Sequence, residues 1–160
     1  MNATDEITYL ELQASDVTDF FVDDVNKLLP QLSGSAKPVT AEYLRNMLHT
    51  GTNRLFIAMH DSRIVGTVVL VHTMILVGSK DWIDDVVVDK DYRRRGISSK
   101  LMNMAEEASR RGGAKAVNLT SNPDRGGARK MYGDRGYTLR DTGVFRLTHT
   151  APTREHTLVV

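Results

Sequence analysis

Val86-Val87-Val88-Asp89-Lys90-Asp91-Tyr92-Arg93-Arg94-Arg95-Gly96-Ile97-Ser98-Ser99 runs from a β-branched stretch through a basic, glycine-containing turn into the start of a periodic segment. It reads as strand, turn and helix N-terminus. The first backbone N–H groups of a helix have no partner within it, and the macrodipole places roughly half a positive charge there. An oxyanion satisfies both. Gly96 lets the backbone approach such a ligand closely, Arg93, Arg94 and Arg95 add charge, and the Ser98 and Ser99 hydroxyls can donate hydrogen bonds. The spacing matches neither a P-loop nor the dinucleotide fingerprint. On local physics alone, a solvated basic turn with Gly96 as its capping glycine is an equal reading.

Outward from this run, Ile97, Leu101, Met104, Ala105 and Ala108 form one apolar helical face, stopped by Gly112-Gly113, and Ala116–Thr120 returns as a strand. Strand, helix and strand make a βαβ unit, so these two strands should be parallel neighbours. Upstream, Leu55–Met59 and Ile64–Leu76 are joined by His60-Asp61-Ser62-Arg63 as a hairpin, with Trp82–Val88 as the third strand. Before them come a short strand from Ile7, a helix capped by Ser15 or Asp16 and closed by Pro30 and Gly34, and a shorter helix capped by Thr40. Downstream, Pro123–Arg135 reads as helix, and Tyr137–Leu139 with Val144–Thr148 as a final hairpin. The order predicts an α/β (α+β) fold: a mixed, mostly antiparallel sheet with a parallel βαβ core and helices on both faces. Residues 1–150 are expected to form one domain and Ala151–Val160 a tail or arm.

The 160 residues, 41% hydrophobic, suffice for one core without metals or disulfides, and no metal site is expected. Zero cysteines exclude a thiolate metal site and a cysteine nucleophile, and fit a reducing, cytoplasmic setting. The polar, acidic Met1–Glu6 does not read as a secretory signal, and the apolar stretch Ile64–Val77 is interrupted and too short to span a bilayer, so no membrane association is expected. With 21 Lys+Arg against 20 Asp+Glu and 6% aromatics, the chain lacks the wide basic face or stacking rings of a nucleic-acid binder. Any anion site is local.

Arg93-Arg94-Arg95-Gly96-Ile97-Ser98 resembles the Arg/Gln-x-x-Gly-x-Gly/Ala signature of the GCN5-related N-acetyltransferase superfamily, with Ser98 where Gly or Ala is usual. A second stretch, Ala128-Arg129-Lys130-Met131-Tyr132-Gly133-Asp134-Arg135-Gly136-Tyr137, is similar to that family's Ala-x-x-x-Tyr-x-x-x-Gly-Phe/Tyr. The residue-level match spans Trp82–Tyr137. The resemblance implies acetyl-CoA as co-substrate and an amine as acceptor. It implies that the strand of Val86, Val87 and Val88 splays from its parallel neighbour and offers its backbone to the pantetheine arm, while Arg93–Ser99 hold the pyrophosphate. It makes Tyr132 the acid that protonates the departing thiolate and sets Asn122 or Arg125 against the coenzyme.

Asp84 and Asp85 precede this strand and resemble the Ile-Glu-Asp segment of the glucosamine-6-phosphate acetyltransferases. One of them can take the ammonium proton, and strand parity leaves open which. Of the five histidines, only His72 falls on a central strand, where a lone histidine is more often structural. The acceptor pocket is expected around Ser33–Pro38, Met74–Asp81 and Asp141–Gly143, and a homodimer around Val144–Thr148 and Leu158–Val160. The competing reading is a module that only binds: a non-catalytic acyl-CoA sensor or a basic-turn nucleic-acid binder. Tyr132 together with the acidic pair favours catalysis.

Overall fold

The computed structural model describes residues 6–149. The chain divides after Thr120 into two compact units. Residues 1–5 and 150–160, including the tail Ala151–Val160 and Leu158–Val160 of the expected dimer edge, lie outside the described residues.

In the first unit, β1 (Thr8–Leu12), β2 (Asn53–His60), β3 (Arg63–Ile75), β4 (Gly78–Val88) and β5 (Val117–Leu119) form one sheet in sequence order. The first four pair antiparallel, and β5 joins β4 in parallel. The mixed sheet with its βαβ core is thus as expected. The β2–β3 turn takes φ of 46° at Asp61 and 64° at Ser62, the two left-handed residues of a type I′ hairpin.

Helices α1 (Asp19–Leu32) and α2 (Ala41–His49) cover one sheet face, and α3 (Ile97–Arg111) packs on β2, β3 and β4. Val25, Leu28, Leu44, Leu55, Ile57, Val69 and Val87 belong to a single core cluster on the α1–α2 side. Because strand side chains alternate, Phe56, Val68 and Leu70 point the other way, toward α3. Gly66 permits the close approach of α3: a Cβ there would lie 3.2 Å from the Val87 carbonyl oxygen and 3.3 Å from carbons of Ile97 and Leu101.

Several boundaries differ from the sequence reading. The α1 cap is Thr18, whose hydroxyl accepts from the Phe21 N–H at 3.3 Å, while Ala14–Asp16 form a separate 3-10 turn. Pro30 does not close α1 but lies within its last turn, where its missing N–H forfeits one ladder bond and the helix continues to Leu32. Asp24 of α1, 2% exposed, accepts from Arg63 Nε at 2.7 Å and from the Ile64 N–H at 3.0 Å, fastening the helix to the start of β3.

The second unit contains α4 (Gly126–Asp134), shorter than the expected Pro123–Arg135. The expected hairpin of Tyr137–Leu139 and Val144–Thr148 is not formed: no strand occurs over residues 137–149, and Leu139, Val144, Phe145 and Leu147 are exposed. Two short runs with β-forming side chains are marginal as an isolated hairpin, and no ladder to a third strand supports them here.

Candidate active site

A break in the β3–β4 ladder shapes the site. Val69 pairs with Asp84 and Thr67 with Val87, so Val68 faces the two residues Asp85 and Val86 across a β-bulge. Asp85 takes a left-handed φ of 51°. Its carbonyl accepts a 3.1 Å hydrogen bond from the buried Thr67 hydroxyl, which holds the bulge closed. The bulge also ends the regular alternation that sequence parity relied on.

Beyond it the sheet opens. Parallel pairing of β4 with β5 covers Asp81–Ile83 and ends at Ile83↔Leu119, whereas β4 continues to Val88. The backbone edge of Val86–Val88 that faces β5 therefore has no ladder partner among the described residues.

After β4, Lys90–Tyr92 make one 3-10 turn capped by the Asp89 carboxylate, which accepts from the Asp91 N–H at 2.9 Å. Arg94 and Gly96 adopt left-handed φ of 63° and 75°, and Gly96 is the N-cap of the 15-residue α3 without offering a side-chain cap. A Cβ at Gly96 would meet nothing within 4 Å, so the backbone at the helix start is open to a ligand. Arg93 Nε donates to the Val88 carbonyl at 3.1 Å, and the Arg95 guanidinium lies 5.3 Å from the Tyr92 ring centre. The turn is braced from α1. Gln31 Oε1 accepts from the Lys90 N–H at 2.9 Å and from Arg93 Nη2 at 3.4 Å, and Gln31 Nε2 donates to Asp89 at 3.3 Å. An open strand edge followed by an uncapped helix start beside three arginines fits a ligand with an amide-bearing arm and a diphosphate.

On the α1–α2 side of the bulge lies a cavity of about 120 Å³ lined by Val25, Leu29, Val39, Leu44, Met47 and Val87 together with Asp85 and Thr67. Asp85, not Asp84, lines it. Asp85 as a residue is exposed, but partial desolvation of its carboxyl, and secondarily the like charge of Asp84, pushes that carboxyl above the ordinary 3.8. Sequence reading missed Gln31, Thr67 and most of these walls: none belongs to a motif, and only the fold brings Gln31 to the turn after β4 and Thr67 and the walls to Asp85. Val39 adjoins the expected Ser33–Pro38, but no wall comes from Met74–Asp81. A wider groove of about 1000 Å³ between α3 and β1–β2 holds none of the predicted site residues, and its Glu11 is already committed to Arg54 at 2.8 and 2.6 Å.

His72 lies on the face opposite Val69, and its Nδ1 is 2.6 Å from Oδ1 of the buried Asp81 directly across the β3–β4 pair. That is a structural pairing. In the second unit, Asn122 Oδ1 accepts from the Asp124 N–H at 2.9 Å, and Arg125 is the N-cap of α4. Tyr132 sits on α4, its ring edge-on to Tyr137 at 5.9 Å. Burial raises its phenol above 10.0 against the opposing charge of Arg125, so the hydroxyl keeps its proton at neutral pH.

Among the described residues no group of three or more His, Asp or Glu is arranged to hold a metal ion, and no helix is long and apolar enough to cross a membrane.

Residues 20–137 match the family model described as Acetyltransferase (GNAT) family. A curated relative, the N-alpha-acetyltransferase MAK3 of Arabidopsis thaliana, is 29% identical over 102 residues, 64% of this chain and 54% of its own length. The chain thus matches about half of that relative. Among solved structures, an aminoglycoside acetyltransferase from an uncultured soil metagenomic sample, in complex with trehalose, superimposes with a TM-score of 0.79 at 18% identity, covering 94% of this chain and all of the other. A predicted acetyltransferase with acetyl-CoA from Clostridium acetobutylicum gives 0.70 at 14% identity over 89% and 96% of the two chains. At such identities the structures speak to the fold.

Proposed function

The chain belongs to the acetyltransferase (GNAT) family, and on that premise we propose that it moves the acetyl group of acetyl-CoA directly to a primary amine held beside Asp85, both substrates being bound at once. The observation that carries this is the β4 bulge, which sets Asp85 against an apolar cavity just where β4, among the described residues, runs on past its ladder with β5 into Val86–Val88.

In this reading Val86, Val87 and Val88 bind the pantetheine arm through main-chain groups, while Arg93, Arg94, Arg95 and the N–H groups of Gly96, Ile97, Ser98 and Ser99 bind the diphosphate. When bound, the thioester supplies an activated acyl group. The chain supplies position and proton handling. Asp85, with its raised affinity for a proton, takes one from the acceptor ammonium and so yields the neutral, nucleophilic amine. Asp84 raises that affinity through its like charge. Tyr132, which stays protonated, is assigned the acid that protonates the leaving thiolate on its place in the second motif. Asn122 and Arg125 are assigned to the coenzyme on the same ground. Residues 1–150 act as one acetyltransferase domain.

The test is release of free thiol from acetyl-CoA with and without a panel of primary amines. Amine-dependent release that saturates in both substrates supports direct transfer. Release independent of amine, or none with any amine, contradicts it.

A further inference from the structure

The wall of the acceptor-side cavity is chemically one-sided. Asp85 is its single carboxylate among the described residues, and the Thr67 hydroxyl is already donated to the Asp85 carbonyl. The other polar atom among the lining side chains is the Tyr43 hydroxyl, and the rest is branched aliphatic or thioether surface from α1, α2 and the sheet. An acceptor carrying several hydroxyls or a second ammonium would strip water from those groups with at most the Tyr43 hydroxyl and the Thr67 oxygen to replace it, which disfavours it. An alkyl chain loses nothing there. The size is limiting as well: an apolar cavity of ~150 Å³ accommodates a benzene ring, so about 120 Å³ suits a branched alkyl or thioether chain of roughly four or five heavy atoms.

We propose that the acceptor is a hydrophobic primary amine, its ammonium at Asp85 and a short branched or thioether side chain in the cavity formed by Leu29, Leu44, Met47 and Val39. This rests on the transfer reaction proposed above and specifies its substrate. In the step, the ammonium gives one proton to the Asp85 carboxylate. The amine nitrogen forms a bond to the thioester carbonyl carbon as the carbon–sulfur bond breaks, and the thiolate leaves with the electron pair to be protonated. Of the two hydrogens left on nitrogen one is lost to solvent and one stays in the amide, the thiolate takes up a proton and Asp85 returns its own to solvent, leaving an N-alkylacetamide, free coenzyme A and one proton released overall. The same chemistry is offered by a free amine and by the α-amine of a peptide beginning with an apolar residue.

The experiment compares kcat/KM for isoamylamine, 3-(methylthio)propylamine, ethanolamine and spermidine, and for hexapeptides beginning with Leu, Met or Ser, alongside the melting shift given by acetyl-CoA alone. The expected result is at least a tenfold preference for the apolar members within the free amines or within the peptides, and which of the two sets responds identifies the source. In Met47→Ala, a half-buried position chosen to spare the fold, the preferred alkylamine should lengthen toward hexylamine. Equal or better use of ethanolamine, spermidine or the Ser peptide overturns the inference while the transfer reaction stands. So does an unmoved chain-length profile in a folded Met47→Ala, which would make the cavity a void of the core. No melting shift and no transfer to any amine would instead remove the reading beneath it.

Discussion

Asp85 holds a backbone conformation that costs most side chains energy but that Asn and Asp tolerate. Asp85→Asn therefore keeps the bulge while removing the proton acceptor, and turnover should fall about 100-fold with acetyl-CoA binding unchanged. The raised carboxyl also sets a stability sign. A group whose folded pKa exceeds its unfolded value binds its proton more tightly when folded, so its ionisation opposes folding once the pH passes from the ordinary 3.8 up through the raised value, and the cost vanishes below 3.8. Asp85 is exposed as a residue, so solvent screens most of this cost, and Asp85→Asn should melt at or slightly above the parent near pH 7 and level with it near pH 3 in thermal scans. A lower melting point at pH 7 would mean that the carboxylate is stabilising. Tyr132→Phe should lower kcat and kcat/KM together by roughly 10- to 100-fold, with little effect on the affinity for acetyl-CoA. Unchanged kcat in a stable variant removes Tyr132 from the mechanism. The sequence offered Asp84 and Asp85 without choosing between them, and which of the two borders the cavity was not legible, because the bulge that breaks strand alternation arises where Thr67 meets β4 and leaves no local signature.

At the scale of elements, the turn between β4 and α3 is held by a residue 58 to 62 positions away. Gln31 brings one amide to Asp89, Lys90 and Arg93, so α1, which walls the cavity beside Asp85 with Leu29, also braces the turn proposed to bind the coenzyme. Gln31→Ala should raise the KM for acetyl-CoA several-fold while leaving kcat nearly intact, since it loosens a binding turn and touches no reacting atom. An equal loss in kcat, or an unchanged KM, would contradict that role. No sequence pattern marks Gln31, a polar residue in the last turn of an amphipathic helix. Gly66 was likewise silent: it reads as one glycine in a β-rich run, yet its missing side chain sets the distance between β3 and α3. Gly66→Val should destabilise by about 1–3 kcal/mol in denaturant unfolding, because the nearest obstacle is the Val87 main chain, which cannot move aside cheaply. The hairpin turn at Asp61-Ser62, by contrast, was plain from composition, and so was the βαβ unit, whose apolar spacing and paired glycines admit few alternatives.

Over the whole molecule, the sequence carried the first unit well because most of its longer strands and helices have a strong period, although the start and stop of α1 were misplaced. It carried residues 137–149 poorly: Leu139, Val144, Phe145 and Leu147 have the side chains of strands, but strand formation depends on a partner edge that a one-dimensional pattern does not contain. The basic turn proposed to bind the coenzyme was readable as a local structure because charge, glycine and a helix start coincide within seven residues. The cavity proposed for the acceptor was not, because its walls are ordinary core residues from α1, α2 and the sheet. The central claim is that Arg93–Ser99 hold acetyl-CoA, and the melting temperature in its presence tests this most directly. At a hundredfold excess over Kd the folded state gains about 2.7 kcal/mol, which for a chain of this size is a rise of roughly 5–10 °C. The protein should show that rise, and Gly96→Glu, which puts bulk and negative charge at the open start of α3, should show none. An equal rise in both proteins would place the coenzyme somewhere other than this turn.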